Sequence, residues 1–339
     1  SGKDLIQNHL AFCLFNHVAI FPLELAPRSF GLNGWVLVDG KKMSKSAGNF
    51  YTLRELLERY GADALRFALM YGGEGIDDPN WDREFTGTVW RRLEGWYETA
   101  LSLHEALEWG EGSEEMTPVD RWFLSALHRT LKRVTEEMEE TNFRTALKIG
   151  YFDLQAHFRW YMRRTGGRWN REVVRFFIEA QTKLLAPFTP HIAEEIWHAV
   201  GGEGFVSVAP WPMPDESLID PRAEAGEDYL RDLMEDIGEI LKVTKITPSR
   251  IHLYTTPLWK RRVLEEVLTL WKEKGAGLNP GDVIKPLMAL PEMTPHRKEI
   301  PKFVGKLIGD MKKAGVADAE KALALEDEKG LLEGAAEFL

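Results

Sequence analysis

Within Gly40-Lys41-Lys42-Met43-Ser44-Lys45-Ser46-Ala47-Gly48-Asn49, the segment 42–46 sets two ammonium groups, Lys42 and Lys45, and two hydroxyls, Ser44 and Ser46, on a loop with glycine on either side. A loop hinged in this way can close over a polyphosphate. It offers mobile positive charge and backbone N–H groups to a leaving group whose charge grows in the transition state. The plain alternative is a solvated lysine-rich turn, so the surroundings decide. Before the loop, residues 31–38 are partly β-branched or aromatic and bounded by glycines, the pattern of a strand or hairpin. Further back, Ser1-Gly2-Lys3-Asp4 fits an S-x-x-D cap leading into one apolar-periodic helix that ends near Pro22. After the loop, Thr52 and Glu55 form a capping box for a helix through Tyr60, and residues 63–71 continue with Leu, Phe and Met at helical spacing. The loop therefore sits in a unit that mixes strand and helix.

The whole chain has 339 residues, 44% hydrophobic and 28% charged, which suits two or three packed domains and excludes a disordered or fibrous protein. Its formal charge of -10 repels polyanions overall, so any nucleic-acid contact must be local. One cysteine, Cys13, excludes an internal disulfide framework and a thiolate zinc cluster and points to a reducing compartment. The apolar stretch 10–21 is broken by Asn16 and His17 and is too short to span a membrane, and no basic segment precedes it to make a signal peptide. His104-Glu105 opens like a zinc-protease helix, but Glu108 stands where the second histidine is required, so no metal site is expected.

From about Phe85 the pattern becomes long helical periodicities separated by breaks at 110–113, 141–142, 166–167 and 187–190, which reads as a bundle. Thr117, Pro118 and Asp120 open one of its helices. The proline-rich passage 209–214 has linker or wrap-around composition, a helix follows over 222–243, and 250–255 alternates as a strand does. Residues 142–185 carry nine basic and three acidic side chains inside this acidic protein, a local concentration suited to backbone phosphates. Trp160, Tyr161 and Trp169 interleave with them as base-stacking candidates, although helical spacing favours core for Trp160.

The lysine loop, the glycine before it and Gly48-Asn49 after it resemble the signature loop of the class I aminoacyl-tRNA synthetases. The resemblance implies that Lys42 and Lys45, with Ser44 and Ser46, act on the pyrophosphate of ATP during amino-acid activation, Lys45 most in the transition state. Gly2, Asp4 and Asn8 are similar to the family's nucleotide-binding stretch, where a carboxylate takes the ribose hydroxyls; the residues alone also allow Asp4 simply to complete the cap begun by Ser1. Asn33 and Gly34 stand where the family contacts adenine, and Met43 belongs to the same ATP site. Asp63 and Arg66, three apart, form a structural salt link on this reading. Residues 185–197 resemble the end of the helical anticodon-binding domain, with His191 packed or capping. Arg159, Arg163, Arg164, Arg168 and Arg171 are the tRNA-facing candidates.

The stretches 3–10 and 15–22 resemble the leucyl-tRNA synthetases of archaeal and eukaryotic cytosolic type, with Gln7 in place of a usual proline. The implied fold is mixed and mainly α: the C-terminal half of a Rossmann-like catalytic fold (1–50), a stem-contact helical unit (51–85), an anticodon-binding bundle (86–214) and a small α+β C-terminal region (215–339). The implied partners are leucine tRNA, leucine and ATP with Mg2+ as substrate, in a cytoplasmic monomer without a tightly bound cofactor or a membrane. The family's paired histidines and editing domain fall outside the residues read here, so the chain is expected to be inactive alone and to require the N-terminal half of the enzyme. Two alternatives stay open: a free-standing tRNA-binding or assembly module, and the same half of an isoleucyl or valyl enzyme.

Overall fold

The computed structural model describes residues 1–46, 48–325 and 327–339, in two compact units, Ser1–Ile219 and Asp220–Leu339. In the first unit a 3-10 turn (Lys3–Leu5) and a π turn (Ile6–Leu10) lead into α1 (Ala11–Ile20), so the single expected helix is built from three segments. The expected S-x-x-D cap does not form: Gly2 occupies the cap position and no side chain caps the turn. Backbone pairing overrides it. The Ser1 ammonium donates to Gly31 O (2.8 Å), Asn33 N–H donates to Ser1 O (2.9 Å) and Lys3 N–H donates to Asn33 O (2.8 Å).

Asp39 and Gly40, with φ of 48° and 76°, make a two-residue hairpin turn of the kind that suits the twist of paired strands. It joins β1 (Leu37–Val38) to antiparallel β2 (Lys41–Lys42). Next comes α2 (Leu53–Tyr71), opened by the Thr52/Glu55 capping box as expected and broken at Gly61, whose φ of 74° no helix accommodates. β3 (Asn80–Trp81) then returns parallel to β1, giving the order β2-β1-β3. Val38, Tyr60, Leu65, Ala68 and Trp81 form the apolar cluster beneath this small sheet, and Met43 packs against it.

The bundle comprises α3 (Arg83–Glu108), α4 (Pro118–Glu139), α5 (Phe143–Leu147), a π turn (Lys148–Asp153), α6 (Leu154–Thr165), α7 (Arg171–Leu185) and α8 (Pro190–Ala199). Three of its breaks fall at glycine or proline and the fourth at Thr141, whose φ is 62°; α6 ends on Gly166 in the left-handed conformation. The core stacks Phe158 on Phe177 (centroids 4.2 Å apart) and Phe123 on Tyr161 (4.6 Å). A buried polar network closes one end. Asp120, with no solvent exposure, accepts from Thr117 N–H (2.7 Å), Thr117 Oγ1 (2.5 Å) and Tyr161 Oη (2.5 Å), while Asn170 N–H donates to Tyr161 Oη (2.9 Å).

The proline-rich passage wraps back onto α4: Trp211 Nε1 donates to Thr135 Oγ1 (2.8 Å), and Asp215 N–H donates to His128 Nδ1 (3.0 Å). That contact requires a neutral His128, and burial lowers its pKa below 6.5 against the opposing pull of the Asp215 carboxylate. Unfolding releases the ring to take up a proton, so the stability it contributes is present above pH 6.5 and is lost as pH falls through the lowered value. Denaturant midpoints measured from pH 7.5 down to about 5.5 are expected to fall, and His128→Gln is expected to flatten the trend. Parallel pH profiles for the two proteins would refute this account.

The second unit contains α9 (Pro221–Thr244), α10 (Leu258–Lys274), α11 (Pro280–Ala289), α12 (Ile300–Ala314), α13 (Ala317–Ala324) and α14 (Glu328–Gly334). Val263, Val267, Val283, Ile300 and Val304 lie at the centre of its core. The expected strand over 250–255 is not formed. The segment has no ladder partner among the described residues, and Tyr254 is 92% exposed. Alternation gives a segment the pattern of a strand, but only a neighbouring strand satisfies its backbone. The regular structure described in this unit is helical, not the α+β mix read from the sequence for 215–339, because the one strand-like segment finds no partner among the described residues; the chain as a whole is mainly α, as expected.

Candidate functional site

The lysine loop leaves the sheet at β2, and its limbs are tied together by Asn49. Asn49 Oδ1 accepts from Ser44 N–H (2.9 Å), and Asn49 Nδ2 donates to Lys42 O (3.1 Å). Ser44 Oγ lies 2.8 Å from Ser46 Oγ, and Gly48 N–H donates to Lys45 O (3.2 Å). Ala47, part of the flank read from the sequence, lies outside the described residues. Met43 turns inward onto the apolar cluster, so it anchors the loop. Both ammonium groups stand over aromatic faces: Lys42 Nζ is 4.6 Å from the Trp35 ring centroid and Lys45 Nζ is 5.2 Å from that of Phe50. Exposed contacts of this kind are worth about 0.5–1 kcal/mol, weak enough for an anionic ligand to displace.

Gly2 and Asn33 are joined by a parallel bridge, and Gly34 follows directly with its N–H donating to Asp77 O (3.1 Å). No side chain fits at position 34, where a Cβ would stand 2.3 Å from Asp77 O. Asp4 folds its carboxylate back over Gly2 and is exposed, as is Asn8. Lys3 Nζ pairs with Asp78 Oδ1 (2.7 Å), which also accepts from Trp35 N–H (2.8 Å). The Lys3 hydrogen bond and the Trp35 N–H hold the Asp78 carboxyl below the usual carboxylate range. Trp35 thus connects the Gly2/Asn33 edge to Lys42. Gly2, Asn33, Gly34 and Lys42 are linked at this sheet end through Trp35 and Asp78, with Asp4 folded over Gly2 and Lys45 further along the loop. Trp35 and Asp78 were missed by the sequence reading, and Asn49 was read only as part of the loop's flank, without a role. An aromatic immediately after Asn33-Gly34 was the available signal for Trp35; Asp78 carried none.

Asp63 and Arg66 do not pair with each other. Asp63 accepts from His191 N–H (3.3 Å) and Ile192 N–H (2.7 Å), capping the start of α8, and its Oδ1 lies 3.1 Å from His191 Nδ1. Arg66 donates to Phe188 O (3.0 Å) and Pro187 O (2.9 Å). Two side chains of α2 therefore hold both limbs of the α7–α8 turn, and His191, 72% exposed on its side chain, belongs to that grip.

Of the basic candidates, Arg159, Arg163 and Arg168 are exposed and Arg164 is half-buried. Arg171 is engaged in the fold, donating to Leu107 O (3.3 Å) and pairing with Glu114 (3.5 Å). Tyr161 and Trp169 are buried and thereby removed as base-stacking groups, leaving Trp160, whose ring lies 5.8 Å from the Arg163 guanidinium. Among the described residues no three His, Cys, Asp or Glu side chains are grouped to hold a metal ion, and no helix is long and apolar enough to cross a membrane.

Residues 1–73 match the family described as tRNA synthetases class I (C) catalytic domain, and residues 120–253 match the anticodon-binding domain of tRNA ligase. A leucine–tRNA ligase from Methanothrix thermoacetophila is 42% identical over 339 residues, covering 100% of this chain and 34% of the relative. One from Aeropyrum pernix is 46% identical over 280 residues, 82% of this chain and 29% of the relative. A solved ternary complex of LeuRS, tRNA and LeuAMS from Agrobacterium radiobacter superposes with a TM-score of 0.52 at 23% identity, covering 64% of this chain and 28% of that one, and shares the fold. The chain spans about a third of the length of the curated relatives it matches. Both matched domains and the relatives that cover the chain end to end agree, and the chain belongs to the leucine–tRNA ligase family of class I aminoacyl-tRNA synthetases.

Proposed function

We propose that this chain serves ATP-dependent activation of leucine and its transfer to leucine tRNA, supplying the lysine loop, one edge of the adenosine site and a tRNA-facing bundle. The observation that carries the reading is the cross-tied loop, which presents Lys42 and Lys45 at the surface, with Lys42 on Trp35, two residues from Asn33 of the Gly2/Asn33 edge. A leucine carboxylate oxygen attacks the α-phosphorus of ATP, which enters with Mg2+ as substrate. The bond from that phosphorus to the bridging oxygen breaks, and pyrophosphate leaves with the electron pair. Lys42 and Lys45 leave their aromatic rests and balance the charge that develops on it. Asp4 receives the ribose hydroxyls, and the backbone at Asn33 and Gly34 borders the adenine. The exposed faces of Phe12, Phe15 and Ile20 on α1 suit packing by the other two thirds of such a ligase. The same reading carries a cytoplasmic, monomeric enzyme with it.

The test is amino-acid-dependent ATP–pyrophosphate exchange by a full-length ligase carrying this chain as its matching third. Exchange with leucine, and background rates with isoleucine, valine and methionine, support the reading; exchange restricted to isoleucine or valine overturns it. A protein that binds leucine tRNA but exchanges with none of the four is the non-catalytic RNA-binding module.

The bundle makes its own prediction. Replacing Arg163, Arg164 and Arg168 together by alanine is expected to weaken tRNA binding and to reduce the slope of log affinity against log salt by about 2 to 3, because fewer counterions are released. Exchange without tRNA is expected to stay unchanged. Equal salt slopes for the two proteins would show that this face points away from RNA.

A further inference from the structure

Among the described residues of the 42–49 loop, Asn49 is the side chain that touches both limbs through a donor and an acceptor at once. Its carboxamide takes the Ser44 N–H, immediately before Lys45, and gives a hydrogen to the carbonyl of Lys42. The backbone points from which both ammonium-bearing side chains leave are thus fixed relative to one planar group. Between those points Met43 is held from the opposite side by the apolar cluster, so the loop is pinned at two faces while its lysines stay exposed. Gly48, at φ 70°, turns the chain back so that Asn49 can reach across. An aspartate would keep the acceptor toward Ser44 but would set a carboxylate against the Lys42 carbonyl. An alanine would lose both bonds while removing almost no buried apolar surface.

We propose that Asn49 is a positioning residue for activation: it sets where Lys42 and Lys45 meet the leaving pyrophosphate, and so acts on turnover more than on ATP capture. The inference rests on the activation reading above. A charge that must meet a forming anion is effective only in one geometry, and a displacement of about 1 Å costs on the order of 10²-fold in rate. ATP capture instead draws on the separate Gly2/Asn33 edge.

Leucine-dependent exchange by the full-length ligase, compared among the parent, Asn49→Ala, Asn49→Asp and Asn49→Gln, tests this. The alanine and aspartate variants are expected to lose about 10- to 100-fold in kcat, with KM for ATP within about threefold of the parent and an unchanged melting temperature. Glutamine keeps both polar groups on a longer stem and is expected to recover part of the loss. Three results overturn the proposal: kcat of the alanine variant within twofold of the parent; a rise in KM at constant kcat; or a fall in melting temperature that accompanies every loss of rate. If the parent itself shows no leucine-dependent exchange, the activation reading fails and this inference falls with it, whereas an active parent with an indifferent Asn49 removes this inference alone.

Discussion

On the activation reading proposed above, Lys45→Ala in the full-length ligase is expected to slow leucyl-adenylate formation by about 10²- to 10³-fold and to leave its thermal midpoint in place. The two halves of this expectation have separate causes. Lys45 is exposed, rests on a ring that is itself 43% exposed, and covers no core, so little folding energy depends on it. Its value arises when the bond to pyrophosphate lengthens and a negative charge forms that water would otherwise solvate only after reorganising. A preorganised donor acts on that charge and much less on bound ATP, so kcat falls more than KM rises. Exchange kinetics and a melting curve on the same preparation check both halves. Wild-type exchange by the alanine variant would remove Lys45 from the chemistry.

The second large effect is structural. Asp120→Ala is expected to destabilise the unit by about 3 to 5 kcal/mol, because a buried network loses its acceptor, its donors are left without a partner and the helix start loses its capping box. The Tyr161 hydroxyl loses its acceptor, and Thr117 loses the carboxylate that binds both its N–H and its hydroxyl. Asp120→Asn is no repair: its NH2 group would face either the Tyr161 O–H or the Thr117 donors, setting donor against donor. For a unit of this size the loss corresponds to a melting temperature lower by roughly 6 to 20 °C. A midpoint shifted by less than about 2 °C would show that the network contributes little. Leucine tRNA binding at low temperature is expected to survive, since Asp120 is wholly buried.

Features legible in the sequence are those whose causes are local. Thr52 with Glu55 and Thr117 with Asp120 declare helix starts because the partners are three residues apart; the first box forms as written, and the second start, read as an N-cap followed by proline, also closes into a box. Glycine and proline mark three of the bundle's four breaks because they act on their own backbone; the fourth is at Thr141-Asn142. The lysine loop was legible because its residue types are unusual together. Features that were not legible depend on partners far along the chain. Ser1 could not announce that Gly31 and Asn33 would claim its backbone. Tyr161 and Trp169 look like Trp160 in sequence, and only packing separates a buried ring from an available one. Arg171 differs from Arg168 by its reach to Leu107 and Glu114, which no local spacing encodes. The 250–255 segment has the pattern of a strand and lacks the neighbour that would make it one.

The grip of α2 on the α7–α8 turn bears on the order of assembly. Its hydrogen bonds join residues between 121 and 129 positions apart. During synthesis, α2 is complete long before residues 187–192 exist, by roughly 6 to 25 s at ordinary elongation rates. Throughout that interval Asp63 and Arg66 have nothing of the turn to hold, and their charges keep that face of the nascent helix wetted. The intervening helices form from neighbours in sequence, and each one that folds shortens the effective span still to be closed. The grip is consequently a last stitch. It joins the segment that follows the lysine loop to the bundle only once the polypeptide between them has taken its shape.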